Sequence, residues 1–329
     1  MKDNNVRDGA NSWCEIDVQA LRRNVGAFRK RIGTTSKLGI VVKSDAYGHG
    51  MVPCARAFVS AGADWLIVNS VTEAVALRET FSETPIYICG YVPPDQAHQV
   101  VASDSRVVLY DWDFAQAMAN SATAAGKLAR VHIKLETGMH RQGLEPADAI
   151  ALAEKVSQLD GIQLEGLTTH FADSDNTEDH SYAAQQQNQL KNGVAALRER
   201  GIKIPMVHSA NSAATILWPE THGDLVRVGI SAYGLWPSAS VQKEASKRYG
   251  RDGEWEPALG PALSWKARIA QVKEVTGGKP LGYGRTHRTE ERIRVAIIPV
   301  GYFEGYDRHL SNKSYVLVNG QRAPVRGRV

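Results

Sequence analysis

The sequence predicts an α/β architecture of eight strand–helix units followed by a smaller, mostly antiparallel β domain. Three features predict it. Short apolar runs rich in β-branched residues recur eight times between residues 38 and 227, segments with helical spacing separate them, and beyond residue 257 the pattern changes to strict alternation. At 329 residues, 43% hydrophobic and 22% charged, the chain suits about two domains and neither a disordered nor a fibrous class.

The eight runs are LGIVV (38–42), WLIV (65–68), PIYIC (85–89), RVVLY (106–110), VHIKL (131–135), QLEGLTT (163–169), PMVH (205–208) and DLVR (224–227). Between them, residues such as Ala149, Leu152, Val156 and Leu159 recur at about 3.6 positions and line one helix face. A (β/α)8 barrel accounts for this order, as would an open doubly wound sheet with the same local pattern. The polar stretch 238–257 has the composition of a linker. After it, Leu263, Trp265, Ala267 and Ile269 alternate with polar residues, which predicts a strand buried on one face. Asn319-Gly320 between YVLV and QRAPV is a two-residue hairpin signal. The expected domains are 14–240 and 241–329, with residues 1–13 able to join the second.

Composition excludes several classes. Lys plus Arg (39) exceeds Asp plus Glu (35) by little, and the basic residues are scattered, so nucleic-acid binding has no support. Three cysteines without CxxC spacing argue against a disulfide framework or a zinc ribbon and for a reducing, cytoplasmic setting. The first dozen residues hold no apolar leader, and no run approaches the roughly 20 apolar residues that cross a bilayer. The expectation is a protein free of nucleic acid and membrane.

The chemistry concentrates at strand ends. Lys43 closes the first strand in VVKSDAYGHG, and in a barrel such a position points an amine into the active-site mouth, where it can condense with an aldehyde. Alone, it reads more readily as a surface lysine lying along apolar surface. Tyr47, Gly48, His49 and Gly50 follow in a turn whose glycines permit close backbone approach to a ligand. His170 could ligate a metal with Asp173, Asp175 and His180, but these lack a recognised ligand spacing, and no metal is expected. The loops HSANSAA (208–214) and RVGISAYG (227–234) combine small polar residues with a glycine, as phosphate-binding loops after strands 7 and 8 of a barrel do.

The string VVKSDAYGHG closely resembles the cofactor-lysine motif of the alanine racemase family. IKLETGMHRQG (133–143), THFA (169–172), the two phosphate-type loops, PLGYGRTH (280–287) and VGYFEGYDR (300–308) resemble further segments of that family in the same order, from about residue 13 onward. The resemblance implies a (β/α)8 TIM barrel with a C-terminal β domain and pyridoxal 5'-phosphate as cofactor. Lys43 would anchor it, Tyr47 contact its phosphate, Arg141 reach its phenolic oxygen and the substrate carboxylate, and His170 lie near its ring. Ser212, Gly229 and Ile230 would contact the phosphate with Asn211 supporting the loop. Lys134 matches a lysine that is often carbamylated, and Gln142 stands where many relatives carry an apolar residue.

Arg227 would face the pyridine nitrogen, and an arginine, which keeps its proton, leaves that nitrogen unprotonated and the electron sink weak, favouring racemisation. Racemisation needs acid–base groups on both faces of the α-carbon. The resemblance assigns them to Lys43, acting on the D-enantiomer, and Tyr283, acting on the L-enantiomer. It makes Tyr302 and Arg308 entrance residues and implies a head-to-tail homodimer with shared sites. The expected activity is interconversion of L- and D-alanine for D-amino acid and peptidoglycan precursor supply. A serine or broad-specificity racemase is the alternative, ahead of a related decarboxylase or a non-enzymatic cofactor-binding protein. APVRGRV (323–329) stands where relatives continue into a Met-Asp pair and further strands that help hold the substrate carboxylate.

Overall fold

In a computed structural model describing residues 9–250 and 259–329, the chain divides into two units, Asp17–Ala262 and Met1–Ile16 with Leu263–Val329. The larger unit holds eight parallel strands: β2 (Lys37–Val41), β3 (Trp65–Val68), β4 (Ile86–Ile88), β5 (Arg106–Leu109), β6 (Ala129–Lys134), β7 (Ile162–Thr168), β8 (Met206–His208) and β9 (Leu225–Val228). Their order, β8-β7-β6-β5-β4-β3-β2-β9, places the last two at opposite ends of one ladder. Bonds from Asp224 N to Val207 O (2.9 Å) and from Arg227 N to Ala210 O (3.0 Å) bring those ends together. The sheet is therefore a barrel, and every one of the eight expected runs contributes a strand.

Both faces of each strand are covered, which is why the runs are continuously apolar. Trp65, Ile67, Tyr87, Val108 and Leu225 pack as one buried cluster. Helices begin where the sequence supplies caps: Asp17 accepts from Ala20 N before α1 (Val18–Ile32), and Ser70 with Glu73 forms a capping box on the helix Val71–Arg78. In the helix Pro146–Val156, Ala149, Leu152 and Val156 are buried as the spacing predicts.

Two expectations need correction. The stretch read as a linker contains a helix, Ala239–Tyr249, begun by Ser238 accepting from Val241 N; Val241 and Ala245 are buried one turn apart, and Glu244 pairs with Arg248 at 2.7 Å. This helix lies in the larger unit, which ends at Ala262 instead of 240; residues 251–258 of the stretch lie outside the described residues. The second concerns β10 (Leu263–Ala267), whose apolar face is only partly covered: Leu263 and Ala267 are half-buried, Trp265 is 39% exposed, and Ile269 beyond the strand's end is exposed.

In the smaller unit, β1 (Ser12–Ile16) pairs antiparallel with β10, so residues before the barrel complete a sheet that begins after it. Residues 1–8 of the expected N-terminal contribution lie outside the described residues. β11 (Gln271–Val275) pairs with β14 (Ile293–Ile297), β12 (Pro280–Leu281) with β13 (His287–Arg288), and β15 (Tyr315–Val318) with β16 (Gln321–Pro324). Asn319 and Gly320 take φ of 51° and 79°, the two positive values that a type I′ hairpin requires.

Candidate active site

Just past β2, Val42 is fully buried and Lys43 is half-buried at the strand's C-terminal end. Residues 44–47 then do something no local propensity encodes: Ser44, Asp45, Ala46 and Tyr47 all adopt left-handed helical backbone, with φ of 55°, 52°, 55° and 54°. This conformation costs about 1–2 kcal/mol per residue for L-amino acids. Surrounding bonds hold it: Ser44 N donates to Glu73 Oε1 (2.6 Å), Ala46 N to Val42 O (2.9 Å) and Met51 N to Asp45 Oδ1 (2.7 Å). Gly48 and Gly50, at φ of 84° and 91°, let the chain leave the turn. The Tyr47 ring stands edge-on to Tyr233, whose hydroxyl donates to Val41 O at 2.8 Å.

Arg227, on β9, is buried, and its guanidinium donates to His208 Nδ1 (2.6 Å), Thr168 Oγ1 (3.3 Å), Thr169 O (2.8 Å), His170 Nδ1 (3.1 Å) and Ser209 O (3.1 Å). All five acceptors are neutral groups. Burial lowers Arg227 from its ordinary value, though nearby Tyr87 and Cys89 oppose the shift. His170 is driven well below the ordinary histidine value by burial and then by the charges of Arg227, Lys134, Arg141 and Lys43. Four basic side chains thus act on His170 at one end of the barrel.

Lys134, the last residue of β6, is nearly buried, and desolvation followed by Arg227 and Arg141 lowers its amine to about 8. The loop beyond it is closed by a bridge between Leu135 and Leu144. Within that loop, Glu136 Oε1 accepts from Gly138 N (2.5 Å) and Met139 N (2.6 Å), and Gln142 Nε2 donates to Tyr110 Oη (3.0 Å). Arg141 is exposed at its tip.

Opposite these, Asn211 caps the helix Ser212–Leu217 by accepting from Ala214 N at 3.0 Å, and it is itself fixed by Ser174 Oγ at 2.9 Å. Ser212 Oγ accepts from Gly229 N at 3.0 Å, so that amide is already engaged. A Cβ placed on Gly229 would meet Tyr47 Oη at 2.9 Å, which shows how closely the tyrosine approaches this backbone. Ile230 is exposed beside it, opening the turn Ile230–Tyr233.

In the smaller unit, Tyr283 begins a short turn between Gly282 and Gly284, both at φ of 69°, and is 84% exposed; Tyr302 is 69% exposed and Arg308 is also exposed. No cluster of three or more metal-ligating side chains occurs among the described residues, so His170, Asp173, Asp175 and His180 do not converge.

Sequence reasoning missed the buried pair His132 and His208 and their partner Glu165. The one mark in the sequence is that VHIKL and PMVH each place a histidine in an apolar strand, a pattern that by itself reads as core.

Comparison with known proteins agrees with this geometry. The profile of the alanine racemase N-terminal domain matches residues 16–237, and that of the alanine racemase C-terminal domain matches residues 262–329. The chain belongs to the alanine racemase family. The alanine racemase of Symbiobacterium thermophilum is 41% identical over 316 residues, covering 96% of this chain and 80% of that protein. The solved alanine racemase of Clostridium difficile 630 superposes with a TM-score of 0.89 at 31% identity, over 98% of this chain and 81% of that one. A crystal structure of alanine racemase from Bartonella henselae, with covalently bound pyridoxal phosphate, gives a TM-score of 0.82 at 26% identity, over 97% of this chain and 83% of that one. Family membership makes the barrel end holding Lys43 and Arg227 the candidate active site. Among the described residues no helix is long and apolar enough to cross a membrane.

Proposed function

We propose that this chain interconverts L- and D-alanine with pyridoxal 5'-phosphate, using Lys43 and Tyr283 as opposed proton carriers. The observation that carries the reading is Arg227, a buried cation whose hydrogen-bond acceptors are all neutral, in a family of racemases. The donor set suits the cofactor. Lys43 supplies a primary amine, the two arginines acting on His170, Arg227 and Arg141, favour a phosphate and a substrate carboxylate, and a side chain at Gly229 would fill the space beside Tyr47. When bound, pyridoxal phosphate withdraws electrons from the substrate α-carbon so that its proton can leave.

The chain's own groups do the rest. Lys43 anchors the aldehyde and carries the proton on one face. Tyr47, the Ser212 hydroxyl and the Ile230 amide hold the phosphate against Gly229, with Asn211 fixing their loop. Arg141 orients the phenolic oxygen and the carboxylate, a carbamate on Lys134 steadies Arg141, and His170 packs near the ring. Arg227 cannot surrender its proton to the ring nitrogen, which weakens electron withdrawal and limits side reactions. Tyr283 carries the proton on the opposite face.

The exposure of Tyr283, Tyr302 and Trp265 in the single chain supports a head-to-tail homodimer in which Tyr283, Tyr302 and Arg308 face a partner's barrel mouth. Cytoplasmic residence follows from the same reading. The test is chiral chromatography of L-alanine, L-serine and larger amino acids incubated with protein and cofactor. Alanine should reach the racemic mixture fastest; inversion of none of them sinks the reading. Lys43→Ala and Tyr283→Phe should each be inactive, the latter still binding cofactor. Mixed one to one and allowed to exchange subunits, the two dead variants should recover roughly a quarter of wild-type sites, because half of the dimers pair an intact Lys43 with an intact Tyr283.

A further inference from the structure

Beneath Arg227 runs a line of buried polar side chains that the proposed reaction has not used. His208 Nε2 lies 2.8 Å from His132 Nδ1, and His132 Nε2 lies 2.9 Å from Glu165 Oε2. Both rings are fully buried, packed against Tyr87 at centroid distances of 5.0 and 5.5 Å. The same oxygen of Glu165 accepts from Arg106 Nε at 3.2 Å, and Arg130 Nε lies 3.9 Å from Oε1.

The hydrogen positions follow from donor chemistry. A guanidinium has no acceptor and does not lose its proton in a protein, so His208 Nδ1, which faces Arg227 Nη1, carries no hydrogen. Burial keeps both imidazoles neutral, so the single proton of His208 sits on Nε2 and points at His132 Nδ1. His132 then bears its proton on Nε2, directed at the Glu165 carboxylate. Burial pushes that carboxyl up, but the His132 hydrogen bond and Arg106 outweigh it and hold it below the ordinary range. Every donor points the same way, from the arginine to the carboxylate.

Two backbone features exist to make this line possible. The β6–β7 register slips between Val131, opposite Leu164, and His132, opposite Gly166, which leaves Glu165 as the extra residue of a bulge. Bulges re-aim side chains, and this one brings Glu165 to His132. The next residue, Gly166, leaves room for the ring: a Cβ there would lie 2.5 Å from His132 Nδ1.

We propose that Glu165 is a positioning residue for Arg227. Acting through His132 and His208, it fixes the imidazole tautomers that receive the guanidinium. A carboxylate in direct contact would take two of the arginine's donors at once; His208 takes one, and the donors of Nη2 go to Thr169 O, His170 Nδ1 and Ser209 O. This inference rests on the racemase reading.

The experiment is side-chain 15N NMR of the cofactor-loaded enzyme labelled at histidine, in wild type, Glu165→Gln and Glu165→Leu, alongside steady-state kinetics. In wild type both His132 and His208 should show a protonated Nε2 and a bare Nδ1. Glu165→Gln keeps an acceptor, so the tautomers should persist while kcat falls. Glu165→Leu removes the acceptor: a second tautomer should appear and kcat should fall about tenfold or more at unchanged KM. A proton on Nδ1 of either ring in wild type overturns the proposal, and so do unchanged tautomers and kcat in Glu165→Leu. Should the leucine variant fail to fold, the wild-type and glutamine spectra still decide. A wild type that orders its protons as described but inverts no amino acid removes the racemase reading and leaves the relay standing.

Discussion

At pH near 8 about half of the Lys134 amines are unprotonated, because burial and the neighbouring arginines Arg227 and Arg141 disfavour the ammonium. An uncharged amine attacks carbon dioxide, and the resulting carbamate would turn a cation beside two arginines into an anion. 13C-bicarbonate should therefore give a carbamate NMR signal that grows as pH rises toward 8 and is missing in Lys134→Gln; no signal at any pH refutes it. Gly166 offers a second measurement. A methyl group there collides with the His132 ring, so Gly166→Ala should lower the free energy of unfolding by about 1–3 kcal/mol in a urea titration. Lys43, Lys134, Arg141 and Arg227 stand in strings that the sequence singles out, and the barrel brings their charges to bear on His170. His132, His208 and Glu165 were not legible there, because a histidine within an apolar strand reads as core, and the bulge that brings Glu165 to it leaves no mark in composition.

Among the elements, the left-handed turn at residues 44–47 is the one most dependent on its neighbours. Glu73 accepts from Ser44 N, Asn69 N and Ser70 N at 2.6, 2.8 and 3.1 Å, so one carboxylate closes a helix cap and pins the chain just past Lys43. Glu73→Ala should cost about 1–2 kcal/mol of stability and raise the cofactor Kd, read by denaturation and by absorbance titration. Unchanged cofactor affinity would mean that the turn holds without it. Eight strands were readable because a sheet covered on both faces demands uninterrupted apolar runs. The helix Ala239–Tyr249 escaped notice because only Val241 and Ala245 are buried along it, leaving a polar stretch that resembles a linker. The partly covered face at Trp265 shows the converse: alternation marks which face is apolar, and packing decides how far it is covered.

Across the whole molecule, pH acts most strongly through the buried imidazoles. His132 and His208 titrate below 6.5 in the folded protein, whereas the unfolded chain takes up their protons near that value. The unfolded state thus binds more protons as pH drops beneath 6.5, and stability declines from there toward the depressed folded values. The melting temperature should fall between pH 6.5 and 5.5; a flat profile through that interval would count against two neutral rings. The separate pairing of β1 with β10 has a consequence for synthesis on the ribosome. Ser12–Ile16 emerges first, yet its mate is translated only after all of Asp17–Ala262, a delay of roughly ten seconds or more at ordinary elongation rates. Throughout that wait the nascent strand has an unpaired edge, so the smaller unit is obliged to mature last even though its first segment is made before any of the barrel.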